Sequence, residues 1–144
     1  GRATSRPGVA TGNLRMLSDS SVWVDHFRGR STPQALLLAQ AMTTDEVIVG
    51  DLILCEVLRG CLTRSEFTPT RDVMLKFDVV SLSGQDLAVE AARNYRLLRS
   101  RGVTVRSTID ALIATWCLKN DVWLLHSDRD FDQFEEHLGL MVVH

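Results

Sequence analysis

A chain of 144 residues fits one domain of ordinary size and leaves little room for two. Apolar residues make up 45% and charged residues 24%, which excludes a disordered acidic tail, a collagen-like repeat and a mucin-like stalk. With 16 basic and 18 acidic residues, the net charge of -2 gives by itself no reason to expect nucleic-acid binding.

Residues 1–15 are poor in large apolar side chains and lack a signal-peptide core, so they are expected to form a leader or flexible arm ahead of a domain over 16–144. Met16 and Leu17, leading into Ser18 and Asp19, predict a short strand. Residues 20–27 follow, with apolar Val22, Val24 and Phe27. The stretch 31–42 has a helical pattern: Ser31 or Thr32 can cap it, and Pro33 suits its first turn. The β-branched run 46–50, closed by Gly50, predicts a buried strand. Asp51 can then cap a helix that ends near Gly60. Residues 67–77 predict a helix interrupted by Pro69, and 78–82 a third strand. The clearest amphipathic helix is 85–101, with Leu87, Ala88, Ala91, Tyr95 and Leu98 on one face and Gly102 as its stop. A helix over 107–120, a strand over 122–125, a short helix over 131–138 and a last strand over 140–143 complete the chain.

Alternating βα units with apolar, non-alternating strands predict a parallel sheet of about five strands, covered by helices on both faces. Such sheets bind ligands outside the carboxyl ends of their strands. Asp19 follows the first strand, and Asp51 and Glu56 follow the second. Asp128 and Asp130 follow the fourth, after His126 and Ser127. Asp110 opens the helix before that fourth strand.

Each acid has an ordinary structural reading. Asp19 can cap the helix at Ser20, while Ser107-x-x-Asp110 and Ser127-x-x-Asp130 resemble capping boxes. Glu56 can pair with Arg59 three residues on. Taken together the acids weigh differently. Glu56 sits inside L-I-L-C-E-V-L, where an unpaired carboxylate is costly without a cation. Asp128-Arg129-Asp130 puts two acids within one turn. Clustered carboxylates without His or Cys ligands suit a hard cation, Mg²⁺ or Mn²⁺. His26, His137 and His144 show no ligand spacing, and no histidine is expected in catalysis. Cys55, Cys61 and Cys117 fit no zinc pattern and are expected as reduced core thiols. Trp23, Trp116 and Trp123 lie in apolar segments and are expected in the core. No apolar run approaches the roughly 20 residues that cross a bilayer.

Four segments carry a resemblance. L-S-D-S-S-V-W-V-D-H-F at 17–27, C-E-V-L-R-G at 55–60, R-S-T-I-D-A-L-I-A at 106–114 and L-L-H-S-D-R-D-F at 124–131 resemble the motifs of PIN-domain nucleases. More narrowly, they are similar to those of the VapC toxins of bacterial VapBC pairs. Single motifs are weakly specific; all four in this order and spacing are highly specific, and the likeness runs from about Met16 to the C-terminus.

The resemblance implies a PIN-like three-layer α/β/α fold and a cytoplasmic endoribonuclease. It makes Asp19, Glu56, Asp110 and Asp128 the catalytic acids that hold one or two Mg²⁺ ions, with Mn²⁺ as an alternative and Asp130 as an auxiliary ligand. Ser20 or Ser21 would support that site at a helix N-terminus, where phosphate is also welcome. Arg106 is the candidate phosphate contact. His126 would position its loop, and Asp25 would have a structural role. The expected partners are an RNA substrate (tRNA, rRNA or mRNA), a VapB-like antitoxin and a second copy of the chain. The antitoxin would cover an apolar groove, for which the helices at 31–42 and 51–61 are candidates. One departure is Ser18, where the family usually has an apolar residue; it leaves the length of the first strand open. A catalytically inactive PIN-like interaction module remains as an alternative. So does a haloacid-dehalogenase-type phosphohydrolase, although the second Asp that its chemistry needs is replaced here by Ser21.

Overall fold

The computed structural model describes residues 14–144. Residues 1–13 of the expected arm lie outside that range, whereas its last two residues belong to the fold. Leu14 packs on the core, and Arg15 opens the first strand with its Nε 3.2 Å from Glu46 Oε1.

Strand β1 (Arg15–Ser18) carries the fully buried Met16 and Leu17. Ser18 is fully buried too, and its hydroxyl is satisfied by donating to the Asp19 carbonyl at 3.1 Å. Helix α1 (Ser20–Phe27) follows, then α2 (Pro33–Thr44), capped by Thr32, whose hydroxyl accepts from the Ala35 amide. Strand β2 (Glu46–Gly50) runs directly into α3 (Asp51–Arg59). The cap of α3 is Gly50 rather than Asp51. Asp51 is instead the first helical residue, and its Oδ1 accepts from the amides of Leu52 and, 31 residues away, Leu82.

Helix α4 (Arg64–Met74) begins three residues earlier than expected because Thr63 caps it, and it runs through Pro69 without interruption. Strand β3 (Asp78–Val80) is shorter than expected, since the Leu82 amide turns to Asp51 instead of to a strand partner. Helices α5 (Gln85–Ser100) and α6 (Thr108–Asn120) lead to β4 (Trp123–Leu125), a 3-10 turn (Arg129–Phe131) and α7 (Asp132–Leu138). The expected last strand is reduced to a parallel bridge between Leu124 and Val142.

All strand pairs are parallel and the order is β3-β2-β1-β4. The chain therefore steps outward from β1 to β3, then returns to the other side of β1 for β4. Right-handed crossovers in opposite directions put their helices on opposite faces of the sheet. The helix contacts fall into the same two groups: α1 meets α2 and α3, α3 meets α4, and α5 packs on α6. The layout is the three-layer one expected, with four strands plus a bridge. Its direction reverses between β1 and β4, so the ligand crevice of such a sheet lies at the carboxyl ends of those two strands.

The core holds Trp23, Leu38, Ile48, Ile53, Met74, Ile113, Phe131 and Phe134. Of the tryptophans, Trp23 is fully buried, while Trp116 and Trp123 are partly buried against the core. Of the three thiols expected in the core, Cys117 is buried there, whereas Cys61 is only partly buried. Cys55 is exposed, because α3 turns Ile53 and Val57 inward and Cys55 lies on its other face. Among the described residues no helix is long and apolar enough to cross a membrane.

Candidate metal centre

The first acid is placed by the sheet itself. The Asp19 amide donates to the Leu125 carbonyl at 3.0 Å, which ties the carboxyl ends of β1 and β4 together. Asp19 is only 6% exposed. Its Oδ1 accepts from the Val22 amide at 3.2 Å and from the Ser21 hydroxyl at 3.0 Å. Asp19 therefore does cap α1, and the cap holds the carboxylate in one orientation at the strand end.

Asp110 comes from the first turn of α6, where Ser107 Oγ accepts from the Asp110 amide at 3.1 Å. This is the capping that the sequence spacing suggested. The second suggested box forms differently. Asp128, not Ser127, caps the 3-10 turn, with its Oδ1 accepting from the Asp130 amide at 2.9 Å. Ser127 turns away, and its hydroxyl lies 2.9 Å from that of Ser21. Asp110, Asp128 and Asp130 each bring a carboxylate oxygen within 4.8 Å of the others. Glu56 projects from α3, partly buried, close enough for its charge to act on both Asp19 and Asp110.

These carboxylates repel one another, and among the described residues no cationic side chain pairs with them. Asp19 is raised from 3.8 to about 6, first by burial and then by Asp128 and Glu56, against the lowering effect of its two hydrogen bonds. Asp110 is also raised to about 6, by burial and then by Asp128, Asp19, Glu56 and Asp130. Among the described residues none of the five acids forms an ion pair; the pairing of Glu56 with Arg59 is not made. An all-oxygen donor set with surplus negative charge fits a hard divalent cation.

The other candidates are more dispersed. Ser20 is partly buried at the N-terminus of α1, and Ser21 is exposed with its hydroxyl already engaged. Arg106 is exposed on the loop before α6, four residues from Asp110. Asp51, which follows β2, is turned to backbone amides and stands apart from the cluster. Asp25 pairs with Arg30 at 3.0 Å just beyond α1, a structural contact. His126 is 9% exposed, and burial holds its pKa below the usual value. Ser127 had no reading of its own in the sequence beyond a cap; its only signal was its place between His126 and Asp128.

The PIN domain family matches residues 16–136. Ribonuclease VapC11 of Mycobacterium tuberculosis is 28% identical over 119 residues, which cover 81% of this chain and 89% of that one. Among solved structures, VapBC2 from Rickettsia felis bound to a promoter DNA fragment superposes with a TM-score of 0.68 at 13% identity, covering 88% of this chain and 96% of that one. A toxin–antitoxin complex from Klebsiella pneumoniae gives a TM-score of 0.66 at 21% identity, with coverage of 90% and 96%. The match spans every acid described above, from Asp19 after β1 to Asp130 after β4, and the chain belongs to the PIN domain family.

Proposed function

We propose that this chain is a metal-dependent endoribonuclease toxin restrained by a small antitoxin. The observation that carries the proposal is the set of five acids at the carboxyl edge of the sheet, two with raised pKa values and none ion-paired among the described residues. A relative named as a ribonuclease and structural neighbours titled as toxin–antitoxin complexes support the same reading.

Asp110, Asp128 and Asp130 would hold the ion, with Asp19 and Glu56 completing the negative shell. Mg²⁺ is the proposed ion, with Mn²⁺ the alternative of the same hard class. When bound, the ion supplies Lewis acidity towards a phosphodiester and its attacking water. The chain's own groups orient the reaction. Ser21 and the Val22 amide hold Asp19 in place, and the Asp130 amide holds Asp128. Ser20, at the start of α1, offers a phosphate the free amides of a helix N-terminus. Arg106 supplies a forked cation for the RNA backbone. Five of the 18 acids lie in this set, and without them bases outnumber acids by three. Attraction for phosphate therefore depends on the bound cation more than on the protein surface.

The substrate is proposed to be a tRNA, rRNA or mRNA in the cytoplasm, where the three free cysteines stay reduced. The antitoxin is assigned to an apolar groove of about 630 Å³ between α1, α3 and α4, lined by Val24, Phe27, Val57, Leu62, Pro69 and Val73. Helix α3 lines this groove through Val57, whereas α2 packs Ala35, Leu38 and Ala41 into the core. A homodimer completes the proposal.

Purified protein incubated with total RNA, in Mg²⁺ or in EDTA, tests the reading. Discrete new ends are expected in Mg²⁺ alone and not with Asp19→Asn. An absence of cleavage together with antitoxin capture would favour the inactive interaction module.

A further inference from the structure

We infer that His126 is a positioning residue for Asp128, acting as a neutral hydrogen-bond acceptor through Nδ1. The inference rests on the reading of Asp128 as a metal ligand.

His126 follows β4 directly, and its ring is buried, with Phe131 packed at 4.9 Å between ring centroids. Its Nδ1 lies 3.2 Å from the amide nitrogen of Asp128. That amide can only donate, so Nδ1 must carry a bare lone pair. The proton of the neutral ring then sits on Nε2. Nε2 is buried and has no hydrogen-bond partner among the described residues; the Asp132 carboxylate faces it at 3.9 Å, beyond bonding range but of the sign that favours an N–H there. Both ring nitrogens therefore select the same tautomer.

The consequence falls on the loop. Three hydrogen bonds hold Asp128: its amide donates to His126, its Oδ1 accepts from the Asp130 amide, and its carbonyl accepts from the Phe131 amide at 3.1 Å. The first anchors the backbone to a buried ring, and the second sets the carboxylate. The same ring cannot ligate a metal through Nε2, since the proton would then move to Nδ1 and confront the Asp128 amide. His126 thus lies beside the acids as their support and is not one of the metal-holding groups.

The test compares His126→Asn, whose Oδ1 reproduces the δ acceptor, with His126→Gln, whose polar atoms sit one bond further out. Mn²⁺ binding to each protein is measured by calorimetry, and the melting temperature of each is measured in EDTA. We expect the Asn variant to bind Mn²⁺ within about threefold of the parent and the Gln variant about 10–100-fold more weakly, the range for loss of an outer-shell support. Equal Mn²⁺ affinity in all three proteins overturns the inference, and so does equal weakening in both variants, which would make the ring a space filler. If either variant fails to fold, the long-range ¹H–¹⁵N spectrum of the parent decides. A ring protonated on Nε2 alone supports the assignment, and protonation on Nδ1 overturns it. Neither readout requires RNA cleavage, so a protein that binds Mn²⁺ as expected but cuts no RNA removes the proposed function and leaves this assignment standing.

Discussion

The Ser21 hydroxyl lies 2.9 Å from the Ser127 hydroxyl although 106 residues separate them, and it donates to Asp19 Oδ1 at 3.0 Å. One small side chain thus joins the start of α1 to the loop that carries Asp128. Ser21→Ala removes both contacts and is expected to weaken divalent-ion binding about 10–100-fold. Ser127→Ala leaves Asp19 with both of its hydrogen bonds and should cost far less. Calorimetric Mn²⁺ titration of the two variants checks the order, which would be refuted by equal losses.

Asp19→Asn should separate stability from activity. The neutral amide can still accept from Ser21 and Val22, and it removes a buried charge that no described residue pairs with. In EDTA at pH 7 the variant is expected to be more stable than the parent, by at most about 3 kcal/mol for a shift of this size. Its RNA cleavage in Mg²⁺ should fall by roughly 100-fold or more, as for loss of an electrostatic group that acts in the transition state. Urea denaturation and a cleavage assay read the two effects, and a variant less stable than the parent in EDTA contradicts the picture.

The same charges make stability depend on pH. Asp19 and Asp110 are raised from 3.8 to about 6 in the fold, so between about pH 4 and 6 the folded chain keeps protons that the unfolded chain releases. Their contribution to stability is therefore present below the lower value and is lost as the pH rises through the higher one. A divalent ion requires the ionised forms and reverses this trend. The rise in melting temperature caused by Mn²⁺ should be large at pH 7.5 and small at pH 5. Scanning fluorimetry with and without Mn²⁺ would show a pH-independent increment if the ion binds elsewhere.

Asp51 should behave unlike the five clustered acids. Its Oδ1 holds the Leu82 amide at 3.0 Å, and the Leu82 side chain is fully buried. Asp51→Ala is expected to cost about 1–3 kcal/mol by stranding that amide, with cleavage per folded molecule unchanged. Denaturation midpoints and active-fraction assays distinguish this from a catalytic loss.

Metal should also govern affinity for RNA. With the acids unbalanced, the protein in EDTA is expected to bind RNA weakly. With the cleavage-impaired Asp19→Asn variant excluded as a substitute, a non-cleavable RNA analogue in Ca²⁺ or Mn²⁺ should bind more tightly. The dependence of that binding on monovalent salt should be shallow, because few basic side chains displace counterions. A steep salt dependence would instead reveal a basic track.

Much of the fold was readable locally. Thr32 before Pro33, the run ending at Gly50 and the stripe from Leu87 to Leu98 are signals carried by neighbouring residues, and α2, β2 and α5 form where those signals lie. The errors arose where a distant group took over a local one. Strand β3 ends early because the Leu82 amide finds Asp51, and the last strand shrinks to a bridge at Val142. Asp51 follows β2 just as Glu56 does, but its carboxylate is engaged by the amides of Leu52 and Leu82, a partner that residue order does not reveal.

By itself the sequence determined which side chains carry negative charge, where apolar runs alternate between strand and helix, and which family's motifs are present, because these are properties of residue order. The meeting of Asp110, Asp128 and Asp130, the burial that shifts Asp19, and the contact between Ser21 and Ser127 were decided only by the sheet order β3-β2-β1-β4. That order brings the carboxyl ends of β1 and β4 side by side. Repulsion between charges and hydrogen bonding both depend on separation in space, which no spacing along the chain specifies.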